Sequence, residues 1–208
     1  MRAILVAPLL LLGLDARAGA GLAPATRPAL PPLPLSVAIA VDSQGKPVAT
    51  AAWVRAQAET ASRILGAAGV RLSAPRIREL PARHAALETR RDRDALGALV
   101  RRDAISVFVV ASLRDVDDPK HYRLGVCWRP GRTRRPGVRL IILTPDALAT
   151  TLAHELGHYL GNPHTRLRGN LMSYKRAGAD ASLTPAQVRR LSAEARRFLD
   201  EVSAAAAR

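Results

Sequence analysis

One stretch of eleven residues, His154-Glu155-Leu156-Gly157-His158-Tyr159-Leu160-Gly161-Asn162-Pro163-His164, constrains this chain more than any other. His154 and His158 lie four apart, so on a helix they share a face and their imidazoles reach one metal ion from successive turns. Glu155 sits on the flank of that face, placed to take a proton from water without ligating the metal itself. Gly161 suits the left-handed conformation that ends a helix and reverses the chain, and Pro163 keeps the helix from resuming. The reversal brings His164 back as a third nitrogen. Three protein ligands with a position left open describe a catalytic zinc site, whereas a structural site is usually closed by a fourth ligand.

These residues resemble the extended metzincin pattern H-E-x-x-H-x-x-G-x-x-H and match it at every fixed position. Metzincins also carry a methionine turn after the third histidine. Asn170-Leu171-Met172-Ser173-Tyr174 is similar to it, with Met172 as the methionine beneath the metal. The resemblance implies an α+β fold: a mixed twisted sheet with a backing helix, a central active-site helix and a C-terminal helix. It implies an endopeptidase holding one catalytic Zn2+ on His154, His158 and His164, with Glu155 as general base. Tyr174 resembles the tyrosine of serralysins and astacins, which ligates the metal at rest and stabilises an oxyanion; a tyrosine simply packed in a turn is the other reading. Thr165 follows the third histidine, where the serralysin pattern has proline and the astacin pattern glutamate. A matrixin-like serine is nearest in size, and the helix start Leu183-Thr184-Pro185 also looks matrixin-like, so the subfamily stays open.

Other functions share the same residues. A zinc-dependent amide hydrolase acting on a non-protein substrate such as cell wall needs the same ligands and the same base. A metal-binding module without catalysis needs only the ligands, and the intact Glu155 argues against it. A basic surface-binding module would use the arginines alone.

A chain of 208 residues suits one domain with a proper core. Its start, Met1-Arg2, leads into an apolar run up to Leu14 and then into Ala16-Arg17-Ala18 and Ala18-Gly19-Ala20. That order describes a signal peptide over residues 1–20 and a secreted or periplasmic protein. Residues 21–34 are rich in proline and alanine and read as a leader, without the cysteine on which matrixin latency depends. Residues 35–208 are the expected catalytic domain. Cys127 is the only cysteine, so no internal disulfide forms. No other stretch is long and apolar enough to span a membrane. The net charge of +15 comes almost wholly from arginine and is read as a solvated surface. With few aromatic residues and no stacking platform, no specific nucleic-acid partner is expected. The expected partner is a peptide or protein substrate, and oligomeric state is not legible.

Along the chain, residues 35–41 form a first strand and 42–46 a turn. Residues 50–68 form a helix whose Val54, Ala58, Ala61, Leu65 and Ala68 share a face and which Gly69 ends. Val70 and Leu72 open a second strand that Pro75 interrupts. Residues 90–102 are compatible with a helix, and 104–111 read as a central strand covered on both faces. Asp115, Asp117 and Asp118 offer carboxylates that suit calcium, although their spacing matches no named calcium loop. Residues 122–128 alternate as a strand, with Tyr122, Leu124, Val126 and Trp128 on one side. By the metzincin resemblance this is the edge strand that binds substrate, and Arg132, Arg134 and Arg135 then lie near one end of the cleft. Residues 138–143 form the next strand. Thr144-Pro145 opens the active-site helix, with Leu148, Leu152, Leu156 and Leu160 as its buried stripe opposite the histidines. Thr184, Pro185 and Gln187 form a capping box for a terminal helix whose Val188, Leu191, Ala195, Phe198, Leu199 and Val202 pack inward. Residues 203–208 fray.

Overall fold

The computed structural model describes residues 30–131, 137–175 and 178–207. The signal peptide, most of the leader, and Arg132, Arg134 and Arg135 lie outside these residues.

Five strands form one twisted sheet in the order β2-β1-β4-β7-β6. They are β1 (Leu35–Ala40), β2 (Arg76–Leu80), β4 (Ile105–Val109), β6 (Gly125–Trp128) and β7 (Leu140–Leu143). The first four in that order run parallel, and β6 closes one edge antiparallel to β7. A small parallel pair, β3 (Ala86–Leu87) with β5 (Ser112–Leu113), lies apart from it.

The continuous apolar runs of β1, β4 and β7 are explained by cover on both faces. On one face Leu35, Val37, Ile39, Ile105, Val107, Val109, Ile141 and Leu143 pack under α1 (Ala51–Leu65), α3 (Thr151–Tyr159) and α4 (Pro185–Ala206). On the other, Ala38, Ala40, Phe108, Val110, Leu140 and Ile142 meet Leu80, Leu87, Leu96 and Leu113. Leu96 follows directly on the short α2 (Arg90–Ala95).

Helix α1 begins where its sequence requires. The Thr50 hydroxyl accepts from the Trp53 amide, and the helix passes through a 3-10 turn to Gly69 at φ 69°. The terminal helix has the expected capping box, Thr184 with Gln187, and Pro185 in its first turn. It runs on to Ala206 rather than fraying at 203, because an alanine-rich end propagates a helix well.

Other boundaries also differ from the sequence reading, among them the edge strand β6, which starts at Gly125 rather than at residue 122. The second strand is Arg76–Leu80, beyond Pro75, while Leu72 makes only a single bridge to Leu33. An edge strand of Arg-Ile-Arg-Glu-Leu is mostly polar outward, which blunts aberrant pairing and also hides it from a hydrophobic scan. Residues 90–102 are one and a half turns of α-helix followed by a 3-10 turn over Leu96–Leu99. The helix that carries His154 and His158 starts at Thr151, not at Thr144-Pro145. The Thr144 backbone and hydroxyl both donate to the Leu124 carbonyl, which ties this residue to the segment leading into β6. Gln57 of α1 donates to the carbonyls of Ala147 and Leu148, which a helix through this segment would need as acceptors. Leu148 is consequently exposed, and the buried stripe is Leu152, Leu156 and Leu160.

Asp103, between α2 and β4, binds Arg101 and Arg76, and those hydrogen bonds and charges lower its pKa to about 2. A depressed carboxyl stabilises the fold above its ordinary pKa, and the contribution is lost as pH falls through about 2. Asp103→Asn is expected to cost about 0.5–1 kcal/mol at pH 7, allowing for solvent screening of this half-exposed cluster. Urea denaturation at pH 7 and at pH 2 should show the difference at the first and its disappearance at the second.

Candidate metal centre

The second histidine of α3 and the chain reversal that follows it build one another. Gly161 adopts φ 84°, its amide donates to the His158 carbonyl, and the Asn162 amide reaches back to Gly157. This six-to-one closure is a Schellman-type end, and only glycine takes that φ without strain. The reversal places the Asn162 carbonyl 2.8 Å from His158 Nδ1. His154 Nδ1 lies 2.6 Å from the Leu171 carbonyl. A carbonyl only accepts, so both rings carry their proton on Nδ1 and turn Nε2 lone pairs toward one point.

His164 arrives at the same point. The Nε2 atoms are 3.1 Å apart for His154 and His158, 3.0 Å for His158 and His164, and 3.3 Å for His154 and His164. A tetrahedral zinc with nitrogens about 2.0–2.1 Å away sets them about 3.3 Å apart. Imidazole lone pairs held this close repel one another unless a cation sits among them, so the donor set fits a metal ion. Among the described residues these three form the one group of three or more His, Cys, Asp or Glu side chains close enough to share an ion. The aspartates read as a calcium site are otherwise engaged: Asp115 pairs with Arg123, Asp117 with Arg90 and Asp118 with His121.

The methionine turn forms the floor. Met172 is fully buried, and a Cβ on Gly157 would lie 2.3 Å from its Sδ. The Met172 carbonyl accepts from the Thr165 amide, next to His164, while Leu171 holds His154. One short segment therefore braces two of the three histidines.

That segment is itself tied down by a pair the sequence reading missed. Asn170 and Gln187 exchange side-chain hydrogen bonds of 2.8 and 3.0 Å, both buried. Asn170 Oδ1 also accepts from the Met172 amide and Gln187 Oε1 from the Thr184 amide. Gln187 thus caps α4 and anchors the metal floor at once. The capping-box spacing revealed the first role, but the second joins residues 17 apart and left no local signal. Gln187→Ala should strip two buried amide bonds and cost about 2–3 kcal/mol, with weaker metal retention. Thermal melts with and without chelator measure both.

Glu155 is buried, and its Oε2 accepts from the Cys127 amide of β6 at 2.7 Å. The carboxylate therefore spans from the active-site helix to the edge strand. Gly125 lets that strand approach, since a Cβ there would lie 2.7 Å from Thr151 Cγ2 and 3.3 Å from Glu155 Cγ. At the strand's other end Trp128 Nε1 donates to Asp94 at 2.8 Å, and its ring packs 4.9 Å from the buried Arg93 guanidinium. Cys127 is half-buried. Desolvation, then the Glu155 charge, pushes its thiol up to about 12, so it stays neutral at physiological pH.

A cleft of about 610 Å³ opens over these groups, lined by β6, the three histidines, Glu155 and Tyr174. Tyr174 is 75% exposed, its ring lies 4.4 Å from that of His164, and its hydroxyl is 3.3 Å from His164 Nδ1. It therefore touches the third histidine on the side opposite the converging nitrogens.

Comparison with known proteins places the fold. No family model and no curated protein matches the chain. Among solved structures, one described as the crystal structure of metalloproteinase-II from Bacteroides fragilis superposes with a TM-score of 0.51 at 15% identity, covering 78% of this chain. The match takes in 53% of that protein, so this chain spans about half its length. Such identity speaks to the fold alone. The chain shares the fold of that metalloproteinase, and its fold carries a three-histidine group able to hold a metal ion.

Proposed function

We propose that this chain is an exported zinc-dependent endopeptidase. The observation that carries the reading is the convergence of three Nε2 atoms within 3.3 Å, beside a buried carboxylate, in a cleft walled by an edge strand. Zinc bound there would act as a Lewis acid, polarising the scissile carbonyl and acidifying water.

The chain's own residues do the remainder. His154, His158 and His164 hold the ion, with Nδ1 protons of the first two fixed on backbone carbonyls. Glu155 accepts the proton of the attacking water and passes it to the leaving amine. Tyr174 lines the same cleft; its hydroxyl now rests at His164 Nδ1, and a turn of this exposed side chain toward the three Nε2 atoms would make it the donor that steadies negative charge on the carbonyl oxygen. Among the described residues strand β6 has β7 on one side only, and the backbone groups of its other edge, apart from the Cys127 amide that donates to Glu155, pair with an extended peptide. A backbone edge of this kind favours a polypeptide over a non-protein amide. Met172 supports the ligands from below without binding the metal. Residues 1–20 supply the export signal in this reading.

The test is digestion of a mixed peptide library by the purified protein, with and without chelator, and with zinc restored. Zinc-dependent cleavage at internal bonds supports the proposal. A zinc-loaded protein that cleaves no peptide, yet releases amine from cell-wall fragments, would replace it with the amide-hydrolase reading.

A further inference from the structure

The metal cleft does not end at β6. Arg129, just past the strand, and Gly161, at the helix reversal, line both the cleft and a second, larger groove of about 990 Å³. The wall of this groove holds six arginines against two glutamates. Arginine pervades the chain, so the number alone says little. What distinguishes the groove is how its charges are committed. Arg101 pairs with Asp103 and Arg197 with Glu194, while Arg139 donates to the Tyr159 carbonyl and packs on the Tyr159 ring. Arg102, Arg129 and Arg190 are exposed, and none has an ion-pair partner among the described residues. Arg190 and Glu194 both reach Gly161, Arg190 Cδ and Glu194 Cγ each 3.6 Å from where a Cβ would stand; Glu194 is paired with Arg197, so Arg190 is the uncommitted charge where the two cavities join.

We infer that the groove is an extended substrate subsite selecting acidic polypeptide segments. The inference rests on the peptidase reading and names the substrate class of that same cleft. A peptide paired along β6 and running past Trp128 meets Arg129 first and then the groove. Guanidinium groups in a concave wall keep a raised positive potential and pair bidentately with carboxylates. A segment carrying Asp or Glu a few residues from the scissile bond, on the side toward Trp128, fills the groove and neutralises Arg102, Arg129 and Arg190. Exposed pairs of this kind act together and are weakened by salt.

The experiment uses the full zinc-loaded chain and matched fluorogenic peptides, identical but for a flanking Asp-Asp-Glu or Asn-Asn-Gln on either side. The acidic peptide is expected to show kcat/KM about tenfold higher at low ionic strength, for one flank only, with the gain lost in about 0.5 M salt. Arg102→Gln with Arg190→Gln should remove the preference and leave the neutral peptide's kcat/KM unchanged. Arg190→Glu should lower the preference further than Arg190→Gln does. Equal rates for acidic and neutral peptides in the unsubstituted protein would overturn the inference while leaving the peptidase intact. A separate reading covers failure of the peptidase proposal: binding of a labelled acidic peptide to Glu155→Gln, followed by fluorescence anisotropy. Salt-sensitive binding lost in the double arginine variant still supports an acidic-peptide groove. Binding to phosphatidylglycerol vesicles that depends on the same arginines, without any acidic-peptide preference, would overturn it in favour of a membrane surface.

Discussion

Glu155→Gln is expected to lower kcat for peptide cleavage at least about a thousandfold, within the range that a positioned general base contributes, while zinc content and melting temperature stay close to those of the unsubstituted protein. The amide keeps the shape of the carboxylate, and its oxygen can still accept from the Cys127 amide at the edge strand. It cannot take a proton. The substitution therefore separates proton transfer from architecture. Glu155→Ala would not, because it also leaves the Cys127 amide without its acceptor and opens space between helix and strand. Single-turnover cleavage alongside metal analysis is the measurement. Full activity in Glu155→Gln would remove the base from the mechanism, and coincident loss of metal would show that the carboxylate holds the site together.

Gly157→Ala is the second large effect. Alanine in a helix interior is favoured over glycine by about 1 kcal/mol, so propensity alone predicts stabilisation. Packing opposes it. The added Cβ would lie 2.3 Å from Met172 Sδ and 3.0 Å from its Cε, in a fully buried site. The Met172 side chain is flexible, but it is fully buried, so its Sδ and Cε can yield only by displacing packed neighbours. Overpacking costs about 1–3 kcal/mol where a core cannot shift, and here the shift would also carry Leu171 off His154. Packing should therefore win, with a net loss of stability and weaker zinc binding. Combining Gly157→Ala with Met172→Ala should cost less than the sum of the two, by about 1 kcal/mol or more, since each relieves what the other creates. Denaturation midpoints of the four proteins measure this coupling. A Gly157→Ala protein more stable than the unsubstituted one would contradict the close approach.

The same contrast explains what was legible in the sequence. The histidine cluster is legible because its geometry is local: His154, His158, Gly161 and His164 lie within three turns of chain, and helix periodicity with one positive φ brings the three rings together. The capping box at Thr184 and the buried strand at Ile105–Val109 were readable for the same reason. What escaped depends on distant partners. Thr144-Pro145 has the chemistry of a helix start, but Gln57 occupies the carbonyls a helix there would need. The polar edge strand Arg76–Leu80 carries no apolar alternation, and only pairing with β1 defines it. Gly157 occupies a position the motif leaves free, yet Met172 makes its lack of a side chain necessary. Gln187 was read as a cap and proved also to be the anchor of the methionine turn.

The central claim is that the three histidines form one zinc site. The direct measurement is zinc content by mass spectrometry after dialysis against buffered nanomolar zinc, for the unsubstituted protein and for His164→Ala, each checked for folding by circular dichroism. The account predicts one zinc per folded chain, and its loss from His164→Ala with the fold retained. A folded protein that binds no zinc, or one that keeps stoichiometric zinc after His164→Ala, would contradict it.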